Sequence, residues 1–159
     1  MPTNPELIKL CKIWDATTDK LNEMGLYEPI DYKHLRCKMD GDKAELRVGS
    51  AEGHMVHFDY KEGRLSYYDK DKDVNEAMFK LLSKIPNAKC KLEPTEGVFC
   101  EIPKEGAEKA FKILSAATSM DLRMLDPTVF YSRMFVEMCK DAKGKADFEV
   151  CVIEKILRP

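Results

Sequence analysis

The residues best suited to chemistry in this chain are three histidines and six cysteines. His54-Met55-Val56-His57 has the look of a metal pair. On a strand, however, residues three apart point to opposite faces, so a shared ion would need a bulge or a loop, and no metal site is expected. If the chain is an enzyme, the first candidates for catalysis are His57, Asp59 and Tyr68. Asp59 falls on the same strand face as His57, and an imidazole beside a carboxylate and a phenol is general-base material. His34, next to Arg36, reads as a surface residue.

The cysteines are Cys11, Cys37, Cys90, Cys100, Cys139 and Cys151. Their density is below the roughly 8% of a disulfide scaffold, and no C-x-x-C pair suggests zinc or thioredoxin-type chemistry. Most fall at apolar positions of a periodic pattern, so they read as small buried hydrophobes in a reducing compartment. Cys90 and Cys100 form the one candidate redox pair, because the hairpin that contains them places them directly opposite each other. Opposed β-carbons lie about 4.5–5.5 Å apart, against about 3.5–4.5 Å for a disulfide.

Other chemistries lack their signatures. There is no G-x-G-x-x-G, no G-x-x-x-x-G-K-[ST] and no G-x-S-x-G, so dinucleotide, P-loop and elbow-serine enzymes are excluded and no cofactor is expected. Lys and Arg number 26 against 28 Asp and Glu, for a net charge of −2. A chain so balanced has no overall pull on a phosphate backbone. Tyr32, Tyr60, Tyr67, Tyr68 and Phe99 lie on or near strands with Arg36, Lys38, Arg47 and Lys91. Asp40, Asp42, Glu45 and Asp59 cancel much of that charge, so nucleic acid is not the expected partner. The apolar run Val150 to Ile153 is far short of the roughly 20 residues that span a bilayer. The start, Met-Pro-Thr-Asn-Pro-Glu, lacks the pattern of a secretory leader. The expected address is cytoplasmic.

The elements that would position these groups follow from periodicity. Leu7, Cys11, Trp14, Thr18 and Leu21 make one helical stripe, with Thr3 or Asn4 as cap, Pro5 in the first turn and Gly25 past the end. Leu26 to Asp31 reads as a connector. From Lys33 to Asp69 the period becomes two. Leu35, Cys37 and Met39 alternate with polar residues, Asp40-Gly41-Asp42 turns the chain, and Ala44, Leu46 and Val48 return. A Gly41-Asp42 turn sets Met39 against Ala44; an Asp40-Gly41 turn sets Leu35 against Leu46. Gly49 to Gly53 is a second turn. Val56, Phe58 and Tyr60, then Leu65 and Tyr67, complete a four-stranded meander with one apolar face.

Val74, Ala77, Met78, Leu81, Leu82 and Ile85 predict an amphipathic helix, capped by Asp71 or Asp73 and stopped by Pro86. Ala88 to Ile102 predicts a hairpin in which Glu93 faces Gly97, Leu92 faces Val98, Cys90 faces Cys100 and Lys89 meets Glu101. Ala88, Cys90, Leu92, Val98, Cys100 and Ile102 share its buried face. Ala107, Ala110, Phe111, Leu114 and Ala117 mark another helix. Asp126-Pro127 starts one that carries Val129, Phe130, Met134, Phe135, Met138 and Cys139. Ala146 to Ile156, rich in Val, Ile and Phe, predicts a last strand.

The order α-β-β-β-β-α-β-β-α-α-β defines an α+β class: a single antiparallel sheet of about six to seven strands, built from adjacent hairpins, with flanking helices in one domain over 1–159. This order and size resemble the small secretion-chaperone fold, which implies dimerisation and an extended client. The extra strand and the C-terminal helix and strand depart from it. Met120, Met124, Met134 and Met138 cluster beside Phe130, Tyr131 and Phe135, and methionine suits adaptable contact surfaces. The expected function is non-catalytic binding, with Phe130, Met134, Phe135 and Met138 as the interaction surface for a protein partner or a second copy. The alternatives are a small enzyme or ligand-binding domain with a pocket between sheet and helices, and a nucleic-acid accessory protein.

Overall fold

A computed structural model of the chain describes residues 2–24, 36–48, 54–120 and 133–157. The expectations for Gly25 and the connector after it, His34, Leu35, the Gly49–Gly53 turn, Met124, Asp126-Pro127, Val129, Phe130 and Tyr131 lie outside those residues.

Helix α1 (Pro5–Glu23) starts where Asn4 stops the extended chain. The Asn4 side-chain oxygen accepts the Glu6 N–H at 2.8 Å, and its amide donates to Asp42 at 2.9 Å. One residue therefore caps the helix and ties it to the first hairpin turn. The meander follows as β1 (Lys38–Asp40), β2 (Lys43–Val48), β3 (His54–Asp59) and β4 (Arg64–Asp69). Met39 faces Ala44 and Asp40 faces Lys43, so the turn residues are Gly41 and Asp42, with Gly41 at positive φ. Helix α2 (Lys72–Ser83) has Asp71 as its cap, accepting the Asp73 N–H at 2.9 Å. It returns the chain to the hairpin of β5 (Lys89–Glu93) and β6 (Gly97–Glu101), whose register pairs are those expected. Helices α3 (Ala107–Met120), α4 (Arg133–Met138) and α5 (Lys145–Ile156) complete the described chain.

The α+β class and the single antiparallel sheet are as the sequence predicts. The sheet has six strands in the order β1-β2-β3-β4-β6-β5. Strand β6 reaches β4 closely: a Cβ at Gly97 would run into the Tyr67 carbonyl, and its φ of 99° suits only glycine. The inner face presents Ala44, Leu46, Val56, Phe58, Leu65, Tyr67, Val98 and Cys100, all buried. Helix α3 is buried on nearly every side, so it forms the middle of the molecule. Phe58 meets Phe111 edge-on at 5.2 Å, and Phe111 meets Trp14 at 6.0 Å. That aromatic line joins sheet, α3 and α1 in one core. No described helix is long and apolar enough to cross a membrane.

Three expectations are corrected. The Ala146–Ile156 segment is helix α5, not a strand. Its buried residues Glu149, Val152, Ile153 and Ile156 fall at helical spacing, and packing overrides the β-propensity of Val, Ile and Phe. Leu92 stands on the inner face opposite Val98 but is not buried; it is 37% exposed, because β5 is an edge strand. The cysteines are not free thiols. Cys11 bonds Cys37, Cys90 bonds Cys100 and Cys139 bonds Cys151, at Cα separations of 5.4, 4.1 and 6.0 Å.

Candidate functional site

Two places gather polar side chains: the uncovered face of the sheet, and a buried cluster beneath it. The described helices pack on one face only. The other carries a row that crosses all six strands with alternating sign: Lys89, Glu101, Arg64, Asp59, Lys43 and Asp40. Opposite charges directly across a ladder stabilise it and fix its register. Beside this row runs a second, Lys91, Phe99, Ser66, His57 and Glu45. All of these except Asp40 line an open groove of about 1010 Å³.

His57, Asp59 and Tyr68 stand on this face but form no hydrogen-bonded unit. His57 Nδ1 lies 3.5 Å from Glu45 Oε2. Asp59 instead accepts the Glu62 N–H at 3.2 Å, closing the β3–β4 turn. Tyr68 faces Met55 across the ladder and is not part of the groove lining. The imidazole is aimed at a carboxylate other than the expected one, and its neighbour across the ladder is Ser66. Among the described residues no three His, Cys, Asp or Glu side chains come together as a metal site. Between sheet and helices, the space bounded by Trp14, Leu46, Val56, Phe58 and Phe111 is about 10 Å³, no more than one water needs.

The buried cluster belongs to His54, which sequence reasoning weighed only as half of a metal pair with His57. His54 shares the inner face with Val56 and Phe58, and its ladder partner is Asp69, on the inner face with Leu65 and Tyr67. Two polar residues opposite each other at apolar register positions were the available signal. His54 Nδ1 lies 3.2 Å from Asp69 Oδ2, and Nε2 lies 2.9 Å from Thr118 Oγ1 on α3. The Tyr67 ring stands edge-on to the imidazole at 5.1 Å. Asp69 is held in turn. Its Oδ1 accepts the Asp71 N–H at 2.7 Å, and Asn75 bonds both its N–H and its C=O at 2.8 Å. Hydroxyl, imidazole and carboxylate thus line up in the order of a hydrolase triad. All three are at most 1% exposed, so no substrate carbonyl reaches Thr118 Oγ1. The cluster is a structural tie between sheet, α2 and α3.

The expected interaction surface divides. Phe130 lies outside the described residues. Phe135 is fully buried and belongs to the core, which corrects its place in that surface. Met134 and Met138 are 47% and 37% exposed, and Val136 between them is 50% exposed.

Comparison with protein-family models, with curated proteins and with solved structures finds no match to this chain.

Proposed function

We propose that the protein is a non-catalytic binding module that meets a protein partner, a second copy of itself in the first instance, through α4. One observation carries this. Five large hydrophobic residues are exposed among those described, and three of them, Met134, Val136 and Met138, stand on this six-residue helix. Phe135 anchors the helix from below. The bond from Cys139 to Cys151 ties its end to α5. A rigid scaffold that turns adaptable thioethers outward suits recognition better than catalysis.

The groove on the sheet adds no charge that would draw a polyanion. Its lining has Lys43, Arg64, Lys89 and Lys91 against Glu45, Asp59, Glu93, Glu96 and Glu101, which argues against nucleic acid. The three cysteine bonds support an oxidising compartment rather than the cytoplasm expected from free thiols.

Light scattering across a concentration range tests the reading, on the wild type and on the double variant Met134→Asp with Met138→Asp. A dimeric wild type and a folded monomeric variant are expected. Two folded monomers would remove self-association through α4.

A further inference from the structure

We infer that Met134 and Met138 are a paired oxidation site: hydrogen peroxide converts both thioethers to sulfoxides and so releases the contact made by α4. This rests on the reading of α4 as a surface for self-association. The two residues stand four apart on one helix, so their side chains share a face. They are 47% and 37% exposed, while Phe135 between them in sequence is fully buried and holds the helix down. The cysteines supply a second observation. A peroxide attacks an accessible thiolate before a thioether, yet all six cysteines are bonded and none is free. The exposed thioethers are then the next groups to react. Met78 and Met120 are fully buried and shielded; Met39 on β1, 38% exposed, is the other large open target among the described methionines. Each sulfur consumes one peroxide. The O–O bond breaks, an S–O bond forms, the sulfur gives up two electrons, and the second oxygen leaves as water.

A sulfoxide turns a flexible apolar side chain into a polar one. Its oxygen accepts hydrogen bonds that an apolar contact cannot return, so burying it opposes association. In a two-fold contact the same patch serves both copies, and each oxidised residue therefore enters the contact twice. The helix need not come apart, because Phe135 and the bond from Cys139 to Cys151 are untouched. When two copies meet through α4, the thioethers are covered. The oxidant takes the separated chain and holds it apart by mass action. Oxidation of Met134 and Met138 thus slows as protein concentration rises, and oxidation of Met39 keeps its rate.

The test treats the full disulfide-bonded chain with limiting hydrogen peroxide, at a concentration where light scattering finds it associated. Associated and single chains are then separated by size, checked for fold by circular dichroism, and mapped by peptide mass for the oxygen gained at each methionine. Sulfoxide at Met134 and Met138 is expected to be enriched in the single chains by about tenfold or more. Sulfoxide at Met39 is expected equally in both fractions, and Met39→Leu should still come apart with peroxide. Associated chains that carry both sulfoxides as often as single ones overturn the proposal and leave α4 standing as a contact. So does peroxide that converts Met39 and spares the pair, or a Met39→Leu chain that stays associated. A wild type that is single before any peroxide is added overturns the α4 reading itself, and this proposal falls with it.

Discussion

Single residues in this fold satisfy backbone groups that a short turn leaves open, and their removal is costly for that reason. Asn75 is buried, and its side-chain amide bonds both the N–H and the C=O of Asp69. Asn75→Ala would strand both groups in the interior. A loss of about 2–4 kcal/mol is expected in urea unfolding, since each unmet buried group costs about 1–3 kcal/mol. A loss below about 0.5 kcal/mol would mean that water replaces the amide. Asp15 sits in a different balance. Burial pushes its carboxyl above the ordinary carboxylate value, and the Cys37 N–H and the Arg36 charge only partly oppose that. A raised carboxyl stabilises the fold below its ordinary pKa, and this contribution is lost as pH rises through the raised value. Asp15→Asn keeps an oxygen for the Cys37 N–H, 3.1 Å away, and cannot ionise. Its stability is expected to vary less with pH than the wild type's just above the ordinary carboxylate range. Parallel curves for the two proteins would refute this.

At the level of elements, the alternating row across the sheet makes Arg64 its most telling member, since Asp59 and Glu101 flank it. Arg64→Glu places three carboxylates side by side, and a loss of about 1 kcal/mol is expected, shrinking in high salt. Arg64→Lys should be close to neutral. The sequence made the local parts of this sheet legible. Alternation and turn residues placed the hairpins, and the Lys89–Glu101 and Cys90–Cys100 pairs were readable because a short turn fixes register. Strand β6 beside β4 was not readable, because that neighbour is chosen by α2 packing across the sheet. Helix α5 was misread because its Val, Ile and Phe content spoke for a strand, although Glu149, Val152, Ile153 and Ile156 already kept helical time. Of the proposed surface, Met134 and Met138 are exposed. Phe135 was not separable from them, because burial on so short a helix depends on what lies beneath it. The buried pairing of His54 was missed because one polar residue in an apolar row means nothing until its partner across the ladder is known.

For the whole molecule, the three cysteine bonds bear first on stability. They fasten α1 to the chain just before β1, close the β5–β6 hairpin, and fasten α4 to α5. Their sequence separations of 26, 10 and 12 residues correspond to about 3 kcal/mol each in lost freedom of the unfolded chain. The sum of about 9 kcal/mol is as large as the net stability of an ordinary domain, about 5–15 kcal/mol. Such a chain would be marginal in a reducing compartment. Protein isolated without reductant and unfolded in guanidinium with a thiol reagent should take up no label, and after reduction it should take up six. The reduced chain should unfold at much lower urea than the oxidised one. Cys139→Ser with Cys151→Ser should lose about 3 kcal/mol and weaken any association through α4, because the end of that helix is no longer pinned. Six reactive thiols in the unreduced protein would refute these bonds and leave Phe135 as the main anchor under α4.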